Sequence, residues 1–370
     1  MPIDPLSYAG DALTIPLKNN NNLQYYSEVQ IGHGIIPQKF NVILDTGSDK
    51  LWVPSTHCSS SVCRSHHQFD ETRSHSFQRS DDQIDLSYGT GSVQARLGKD
   101  QVKLGAETIS PSYPVALSIS ETAKPFSSLA NIDGIFGLGK TTHFAESKPL
   151  FSFYLSNDTS QAGTMTIGGI DAKHIDESAA VHAHKVTDPK SWSIDLVDIK
   201  VGDERLGICP DGPCRALIDT GSSLITGPAR DVDRLFQAGV HETCNAYGHT
   251  PSPVVTLIFK DPHGNEVEYP LTSKEYSIDF QDDHKECKVG FGPLDIGHRK
   301  WVIGDSFLRR YVSVFDKENH QISFVKSKHD NEDVGVVTRD GPCPALLLHT
   351  DVYIKRCRIR EIGNSFLFQN

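Results

Sequence analysis

Short apolar or alternating segments recur along the chain and are separated by turn residues. Turn pairs such as His33-Gly34 and Asp133-Gly134 punctuate the pattern. The segments that predict strands are 25–31, 40–44, 83–88, 164–169, 194–202, 254–259 and 311–315. Only 229–239 has a clear helical pattern, with apolar residues at i, i+3 and i+4 and a closing glycine. This spacing predicts a mostly-β protein of sandwich or barrel character.

An internal repeat is the feature of the sequence that best predicts the fold. Residues 42–54 match residues 216–228: an apolar strand, then Asp-Thr-Gly-Ser, then an apolar pair and, at the end, a proline. Each copy is followed later by two apolar residues and a glycine, at 135–137 and 302–304. A single repetition of so detailed a pattern predicts a duplicated lobe. We therefore expect two β lobes related by a pseudo-twofold axis, with a cleft between them.

The predicted division of the chain follows from this repeat. A length of 370 residues is enough for two domains with separate cores. The predicted parts are a first lobe over 1–185, a second lobe over 186–328 and an appended tail over 329–370. The boundary between the lobes falls in the polar stretch 182–190. The tail holds Cys343 and Cys357 and shows no strand alternation, so neither its order nor its cysteine pairing is predicted.

Composition and charge exclude several classes of function. Hydrophobic residues make up 37% and charged residues 22%, which is typical of a soluble globular protein. The formal charge is −11, with no block of like charges that would form a nucleic-acid surface. No run of about 18 apolar residues predicts a membrane span. The first residues lack the pattern of a signal peptide, so either the protein is cytosolic or its leader is absent from this sequence.

The cysteines predict an oxidising compartment. Three local pairs indicate disulfides in a loop-rich chain, whereas reduced cytosolic thiols are the alternative. The pairs are Cys58–Cys63, Cys209–Cys214 and Cys244–Cys287. Zinc is disfavoured because neither short pair has CxxC spacing, and no metal or cofactor is predicted. The sequon at Asn157 is a glycosylation candidate that agrees with the secretory pathway.

The two repeated loops predict a pair of carboxylates, Asp45 and Asp219. One Asp-Thr-Gly-Ser alone would be an ordinary turn, but two copies at the ends of apolar strands place the acids on rigid elements. Two carboxylates about 3 Å apart share one proton, which suits general acid–base hydrolysis. The glycines permit a tight turn, and the Thr and Ser hydroxyls can hydrogen-bond within each loop. These supporting residues are Thr46, Gly47, Ser48, Thr220, Gly221 and Ser222.

The sequence from about Tyr25 to Val325 resembles the pepsin and cathepsin D family of aspartic proteases. The resemblance implies that Asp45 and Asp219 are the catalytic pair and that a serine in each loop orients its carboxylate. It also implies a bilobal pepsin-like fold, polypeptide substrates with apolar residues beside the scissile bond, and inhibition by pepstatin-type compounds. We further expect an acidic pH optimum, a monomer, and a location outside the cell or in a lysosome-like or vacuole-like compartment.

By the same resemblance, residues 86–93 form a flap, a hairpin that closes over the substrate. Tyr88 is the flap tyrosine, and Trp52 supports it. Gly89 and Thr90 offer backbone contacts to the peptide. Ile43 and Ile135 resemble pocket-lining positions, although core packing explains both nearly as well.

One feature leaves a second function open. The stretch after Gly139 is shorter than in the family, so the first lobe is expected to be shortened on one wall. The alternative is therefore a catalytically weak or inactive homologue that binds peptides or proteins in the cleft. Phosphoryl transfer through an aspartyl nucleophile is a third class, and it lacks both a partner Asp two residues away and an α/β pattern.

Overall fold

The computed structural model describes residues 12–329, without 89–90, 106, 123–130, 143, 145–147, 177, 242, 246–251, 280–285 and 298. For 243–245, 279 and 286–287 only the backbone is described. These residues contain twenty-four strands in three sheets and four short α-helices.

The strands are β1 (Leu13–Asn20), β2 (Gln24–Ile31), β3 (Gln38–Asp45), β4 (Leu51–Pro54), β5 (Gln78–Ser87), β6 (Ser92–Leu104), β7 (Glu107–Glu121), β8 (Gly134–Gly137), β9 (Leu150–Tyr154), β10 (Gly163–Ile167), β11 (His182–Lys185), β12 (Ser193–Val201), β13 (Glu204–Arg205), β14 (Cys214–Ile218), β15 (Ile225–Gly227), β16 (Thr243–Asn245), β17 (Val255–Lys260), β18 (Glu266–Leu271), β19 (Ser277–Asp279), β20 (Glu286–Val289), β21 (Phe291–Pro293), β22 (Lys300–Ile303), β23 (Tyr311–Asp316) and β24 (Gln321–Lys326). The helices are α1 (Ser61–Arg64), α2 (Ala229–Gln237), α3 (Ser273–Tyr276) and α4 (Asp305–Leu308).

Local sequence explains the clearest boundaries. The β1–β2 hairpin turns through Asn21 and Asn22, whose φ angles are 55° and 57°. Asparagine tolerates this left-handed conformation, which the tight turn closed by the 3.0 Å hydrogen bond from the Leu23 amide to the Asn20 carbonyl requires. In α2, Val232 and Leu235 are buried on one face. Gly239, with φ 101°, follows the end of that helix, as the sequence predicts.

The two repeated motifs lie in different sheets and have the same local topology. β3 pairs in parallel with β8, and β14 pairs in parallel with β22. β4 and β15, which follow the two acidic loops, pair antiparallel with the same partners, β8 and β22. The Ile-Phe-Gly and Val-Ile-Gly segments of the repeat are thus the central neighbours of the acid-bearing strands. The duplication seen in the sequence is a duplication of strand pairing.

One sheet joins strands from both ends of the chain. Its outer part has the order β11-β24-β23-β9-β10-β1, so β23 and β24 add to strands of the first half. Trp192 connects the halves as well, because its Nε1–H donates a 3.0 Å hydrogen bond to the carbonyl of Leu138. Trp192 and Trp301 are both fully buried. Continuous sheet pairing and shared core therefore fix the two motifs relative to each other.

The structure confirms the mostly-β prediction, the seven predicted strand segments and the predicted helix. It also confirms the disulfides Cys58–Cys63 and Cys209–Cys214. The lobe boundary at 185/186 stays a prediction. The predicted tail, including Cys343 and Cys357, lies outside the described residues apart from His329. Among the described residues, no helix is long and apolar enough to cross a membrane.

Candidate active site

Asp45 and Asp219 occupy matching positions in their loops. Asp45 ends β3, and Asp219 follows the last residue of β14. The Oδ1 atom of Asp45 accepts a 2.7 Å hydrogen bond from the Gly47 amide, and Oδ1 of Asp219 accepts a 2.8 Å bond from the Gly221 amide. Both carboxyl groups are almost fully buried, with exposed fractions of 5% and 9%. Each acid is therefore held by its own loop and largely removed from solvent.

The serine of each loop holds the second carboxylate oxygen. The Ser48 hydroxyl donates to Asp45 Oδ2 at 2.5 Å, and the Ser222 hydroxyl donates to Asp219 Oδ2 at 2.8 Å. Hydrogen bonds of this kind to a carboxylate fix its orientation and favour its charged form. The sequence prediction placed both serines in this supporting position.

The two threonines tie the loops to each other. The Thr46 amide donates to Thr220 Oγ1 and the Thr220 amide donates to Thr46 Oγ1, both at 3.1 Å. The hydroxyls in turn donate across the interface, Thr46 to the Ile218 carbonyl at 2.8 Å and Thr220 to the Leu44 carbonyl at 2.6 Å. This reciprocal network makes the relative placement of the two acids insensitive to side-chain motion.

The glycines let the carboxylates approach across the interface. A Cβ built on Gly47 would lie 2.5 Å from Asp219 Cγ, and one on Gly221 would lie 2.5 Å from Asp45 Oδ1. Real Cβ atoms essentially never come within 3.0 Å of another heavy atom. Each acid is therefore packed against the opposite loop, and only glycine fits at these two positions.

The acids influence each other electrostatically. Burial, followed by the neighbouring Asp219 carboxyl, raises the pKa of Asp45 well above its ordinary value. The hydrogen bonds from Ser48 and Gly47 oppose this shift but do not cancel it. Two acids in such contact cannot both ionise easily, so the pair retains a proton at a pH where an isolated aspartate has lost it.

Tyr88 and Trp52 meet beside this pair. The indole Nε1–H of Trp52 donates a 2.7 Å hydrogen bond to the Tyr88 hydroxyl. Burial raises the pKa of Tyr88, with the Asp45 charge adding to the shift, so this phenol stays neutral. The structure thus forms the predicted contact between flap and support. Gly89 and Thr90, the predicted backbone contacts of the flap, lie outside the described residues.

Ile43 and Ile135 stand side by side in the parallel register of β3 and β8. Their exposed fractions are 6% and 8%, and they pack in one apolar cluster with Trp52, Tyr88 and Val93. They are therefore part of a continuous apolar surface that reaches the flap. Whether they bind substrate stays a prediction, since this packing also serves the core.

The remaining predicted residues lie away from the acids. The backbones of Cys244 and Cys287 are directly paired in β16 and β20, while the side chains lie outside the described part of the chain. Asn157 is exposed, so its sequon is accessible. Among the described residues, no cluster of three or more His, Cys, Asp or Glu could hold a metal ion.

Sequence reasoning missed Asp305 and Arg309. Asp305 is 1% exposed and Arg309 is 5% exposed. Burial raises the pKa of Asp305, Arg309 lowers it, and Asp219 and Asp45 raise it further. Arg309 donates a 2.7 Å hydrogen bond to the Asn22 carbonyl in the β1–β2 turn. The available signal was an acid within the mostly apolar segment 301–308, directly after the glycine of the second repeat.

The shortened stretch after Gly139 packs against the first acidic loop. The Thr141 hydroxyl donates a 2.8 Å hydrogen bond to Asp49 Oδ2, and the Gly139 amide donates to the Ser48 carbonyl at 2.8 Å. Lys317 donates to the carbonyls of Thr142 and Phe144 at 2.6 and 2.7 Å. In the described residues, this short connection leaves the loop of Asp45 well supported.

Comparison with known proteins agrees with this geometry. The sequence model of the family described as eukaryotic aspartyl protease matches residues 24–327. The chain is 32% identical over 332 residues to chymosin from Callithrix jacchus, covering 84% of this chain and 83% of that protein. It is 33% identical over 335 residues to cathepsin E from Aquarana catesbeiana, covering 84% and 81%. It is 34% identical over 336 residues to cathepsin E from Mus musculus, covering 83% and 81%. The chain belongs to the eukaryotic aspartyl protease family and is an aspartic-type endopeptidase with the pepsin-like fold.

Proposed function

We propose that Asp45 and Asp219 hydrolyse internal peptide bonds by general acid–base activation of a water molecule, with an optimum at acidic pH. The observation that supports this most directly is the cross-packing of each carboxylate against the glycine of the opposite loop. That packing, together with burial, keeps one proton on the pair. An acid and a base within one site are what amide hydrolysis needs.

The chemical steps follow from the shared proton. The carboxylate of the pair takes a proton from water, whose oxygen attacks the peptide carbonyl carbon. The protonated carboxyl donates its proton to the carbonyl oxygen, so a neutral tetrahedral diol forms. Collapse of the diol transfers a proton to the leaving nitrogen, breaks the C–N bond and returns the pair to its singly protonated state. No covalent bond to the protein forms.

Polypeptides are the proposed substrates, with apolar side chains beside the scissile bond. The apolar surface made by Ile43, Ile135 and Trp52 favours such side chains. An extended peptide beneath the flap is held largely by main-chain hydrogen bonds, which tolerates varied sequence. Pepstatin-type peptides are expected to bind the same cleft.

The setting we propose is an acidic compartment of the secretory pathway or the exterior of the cell, where the protein acts as a monomer. Two disulfides favour an oxidising environment. The carboxylates must retain one proton to work, which an acidic medium supports.

Cleavage of an internally quenched peptide with a central apolar pair, across about pH 3 to 7, tests the proposal. We expect activity that peaks at acidic pH and disappears with pepstatin. The matched control is Asp219→Asn, which keeps the side-chain volume and removes the titrating group. Folded wild-type protein that binds pepstatin yet cleaves nothing at any pH would favour the alternative, a homologue that only binds peptides.

A further inference from the structure

A small cavity lies beside Trp52 in the first half of the chain. Its volume is about 10 Å³, which is room for a single water molecule. The lining residues are Trp52, His66, Glu121, Ile132, Asp133, Gly134 and Ile135. Trp52 and Ile135 also belong to the apolar cluster that packs against Tyr88. The cavity therefore shares a wall with the support of the flap, and three of its lining residues can carry charge.

Asp133 is stabilised from outside the cavity. Its carboxylate accepts 2.8 Å hydrogen bonds from the amides of Asn41 and His67, and the His67 ring lies 3.0 Å from Oδ1. Three polar contacts from outside the cavity satisfy this buried carboxylate.

Glu121 is in a different position. This side chain is only 8% exposed, and its Oε1 atom accepts a 2.5 Å hydrogen bond from the Ser118 hydroxyl. Burial raises the pKa of Glu121, and the hydrogen bond from the Ser118 hydroxyl opposes the shift. Burial of this carboxyl therefore favours its neutral form.

His66 lines the same space. Its Nδ1 atom is buried and has no hydrogen-bond partner among the described residues. A water in the cavity can accept a hydrogen bond from the neutral Glu121 carboxyl and donate one to Nδ1 of His66. Such a bridge gives the neutral acid a polar partner, whereas an ionised carboxylate at this place is a buried charge beside an apolar wall.

The cavity is coupled to the flap through Trp52. The Trp52 indole donates its hydrogen bond to Tyr88 at 2.7 Å. Glu121 is paired in the β6–β7 register with Val93, which packs in the same cluster as Tyr88. A negative charge on Glu121 would draw water or the His66 ring toward it, because an unpaired buried charge is costly. The side chains that would then have to move are the apolar ones that line the cavity beside Trp52, namely Ile132 and Ile135.

We propose that the neutral carboxyl of Glu121 is a positioning group for the flap, and that its ionisation opens the wall behind Trp52 and sets the upper pH limit of peptide hydrolysis. This inference rests on the proposed peptidase activity. The titratable groups around Glu121 are His66 and Asp133 on the cavity wall and Tyr88 beyond Trp52. Tyr88 stays neutral, and the hydrogen-bond partners of Asp133 lie outside the cavity, so Glu121 is the group that changes the charge of this wall.

The pH dependence of kcat/KM in Glu121→Gln tests the proposal, with Glu107→Gln, an exposed residue of the same strand, as the control. Glutamine imitates the neutral acid and cannot ionise. We expect Glu121→Gln to match wild type within about twofold at the acidic optimum and to exceed it about threefold or more near pH 6.5, mainly through a lower KM. If kcat/KM falls in the same way toward neutral pH in wild type and in both variants, the proposal is overturned.

Thermal unfolding across the same pH range gives an answer that does not need activity. A buried acid with a raised pKa destabilises the folded state as pH rises above the ordinary value of glutamic acid. The midpoint of Glu121→Gln should therefore rise relative to wild type with increasing pH, whereas Glu107→Gln should track wild type. Parallel curves for all three proteins would show that Glu121 titrates normally. If wild type lacks pepstatin-sensitive cleavage, the proposed function fails, and the melting curves still decide the protonation of Glu121.

Discussion

In each half of the molecule an aspartate accepts one hydrogen bond from a glycine amide and one from a serine hydroxyl of its own loop. Behind these loops the halves differ. At the position of Trp52, which supports the flap tyrosine, the second repeat has Thr226. At the position of Leu138, which is fully buried and apolar, the second repeat has the buried acid Asp305.

This difference separates two requirements of the site. The atoms that touch the carboxylates are nearly the same in both halves, because both acids must be held in one geometry for the proton to be shared. The surroundings diverge, because one half contributes the Trp52–Tyr88 contact while the other contributes the buried Asp305, which interacts with Arg309 and with both acids. On the proposed mechanism, the duplication keeps the groups that share the proton and leaves the predicted flap to one half and the extra buried acid to the other.

Replacing either aspartate should have the largest effect, because it removes one member of the matched pair of acids. We expect Asp45→Asn and Asp219→Asn each to lower kcat/KM by about 10⁴-fold or more, with the double variant little worse than either single one. The reason is that the proposed mechanism uses one proton shared between the Asp45 and Asp219 carboxyl groups, so the loss of either group stops it. Steady-state cleavage of a quenched peptide, with circular dichroism to verify folding, measures this. Substantial turnover in either folded variant would contradict the shared-proton mechanism.

The glycines test whether the approach of the two loops is equally tight from both sides. A methyl group at Gly47 or Gly221 would push the opposite carboxylate away, so each alanine variant should lose about 10²- to 10³-fold in kcat/KM. Gly292→Ala is the matched control, since its nearest neighbour would lie at an ordinary 3.5 Å. We expect the control to stay within about twofold of wild type. A large loss at one site only would show that the loops are not equivalent.

The features that occur in both halves were predictable from the sequence, whereas Asp305 and Glu121, each found in only one half, were not. Asp45, Asp219 and their serines lie in a pattern that occurs twice, so each copy supports the interpretation of the other. Asp305 occurs once, and its importance depends on burial beneath the pair, which no spacing rule indicates. Glu121 escaped notice for the same reason, since an isolated acid near a strand end is ordinarily solvated.

The outer part of the largest sheet sharpens the comparison, because it contains strands of both halves and carries a titrating group of its own. His184 in β11 is fully buried; its Nδ1–H donates to the Lys260 carbonyl at 2.7 Å, and Nε2 lies 2.6 Å from the Tyr269 hydroxyl. Burial lowers the pKa of His184 to about 4; the Lys260 carbonyl and Asp261 oppose this, while His182 adds to it. In the unfolded chain its pKa is the ordinary 6.5.

The sign of the effect follows from these values. Above pH 6.5 the ring is neutral in both states, whereas between 6.5 and about 4 only the unfolded chain takes up the proton. His184 therefore costs the folded state about 3 kcal/mol by pH 4. We expect His184→Gln to gain stability relative to wild type by about this amount between pH 7 and 4, in urea unfolding. His182→Gln, the exposed neighbour on the same strand, should show no such trend; a flat difference for His184→Gln would mean that the ring protonates freely.

Trp52→Phe tests the smallest expected effect, the hydrogen bond from Trp52 to Tyr88 that is present only in the first half. Phenylalanine retains an aromatic ring in the apolar cluster but cannot donate to the Tyr88 hydroxyl, so the cost is one partly buried hydrogen bond. We expect kcat/KM to fall by about three- to tenfold, chiefly through KM, because the flap closes less often over the peptide. Tyr88→Phe removes this bond together with the hydrogen bond between the Tyr88 hydroxyl and Ser48, so the double variant should be no worse than Tyr88→Phe alone. Losses that multiply in the double variant would mean that Trp52 and Tyr88 act separately, and the asymmetry between the halves would then lie in the flap alone.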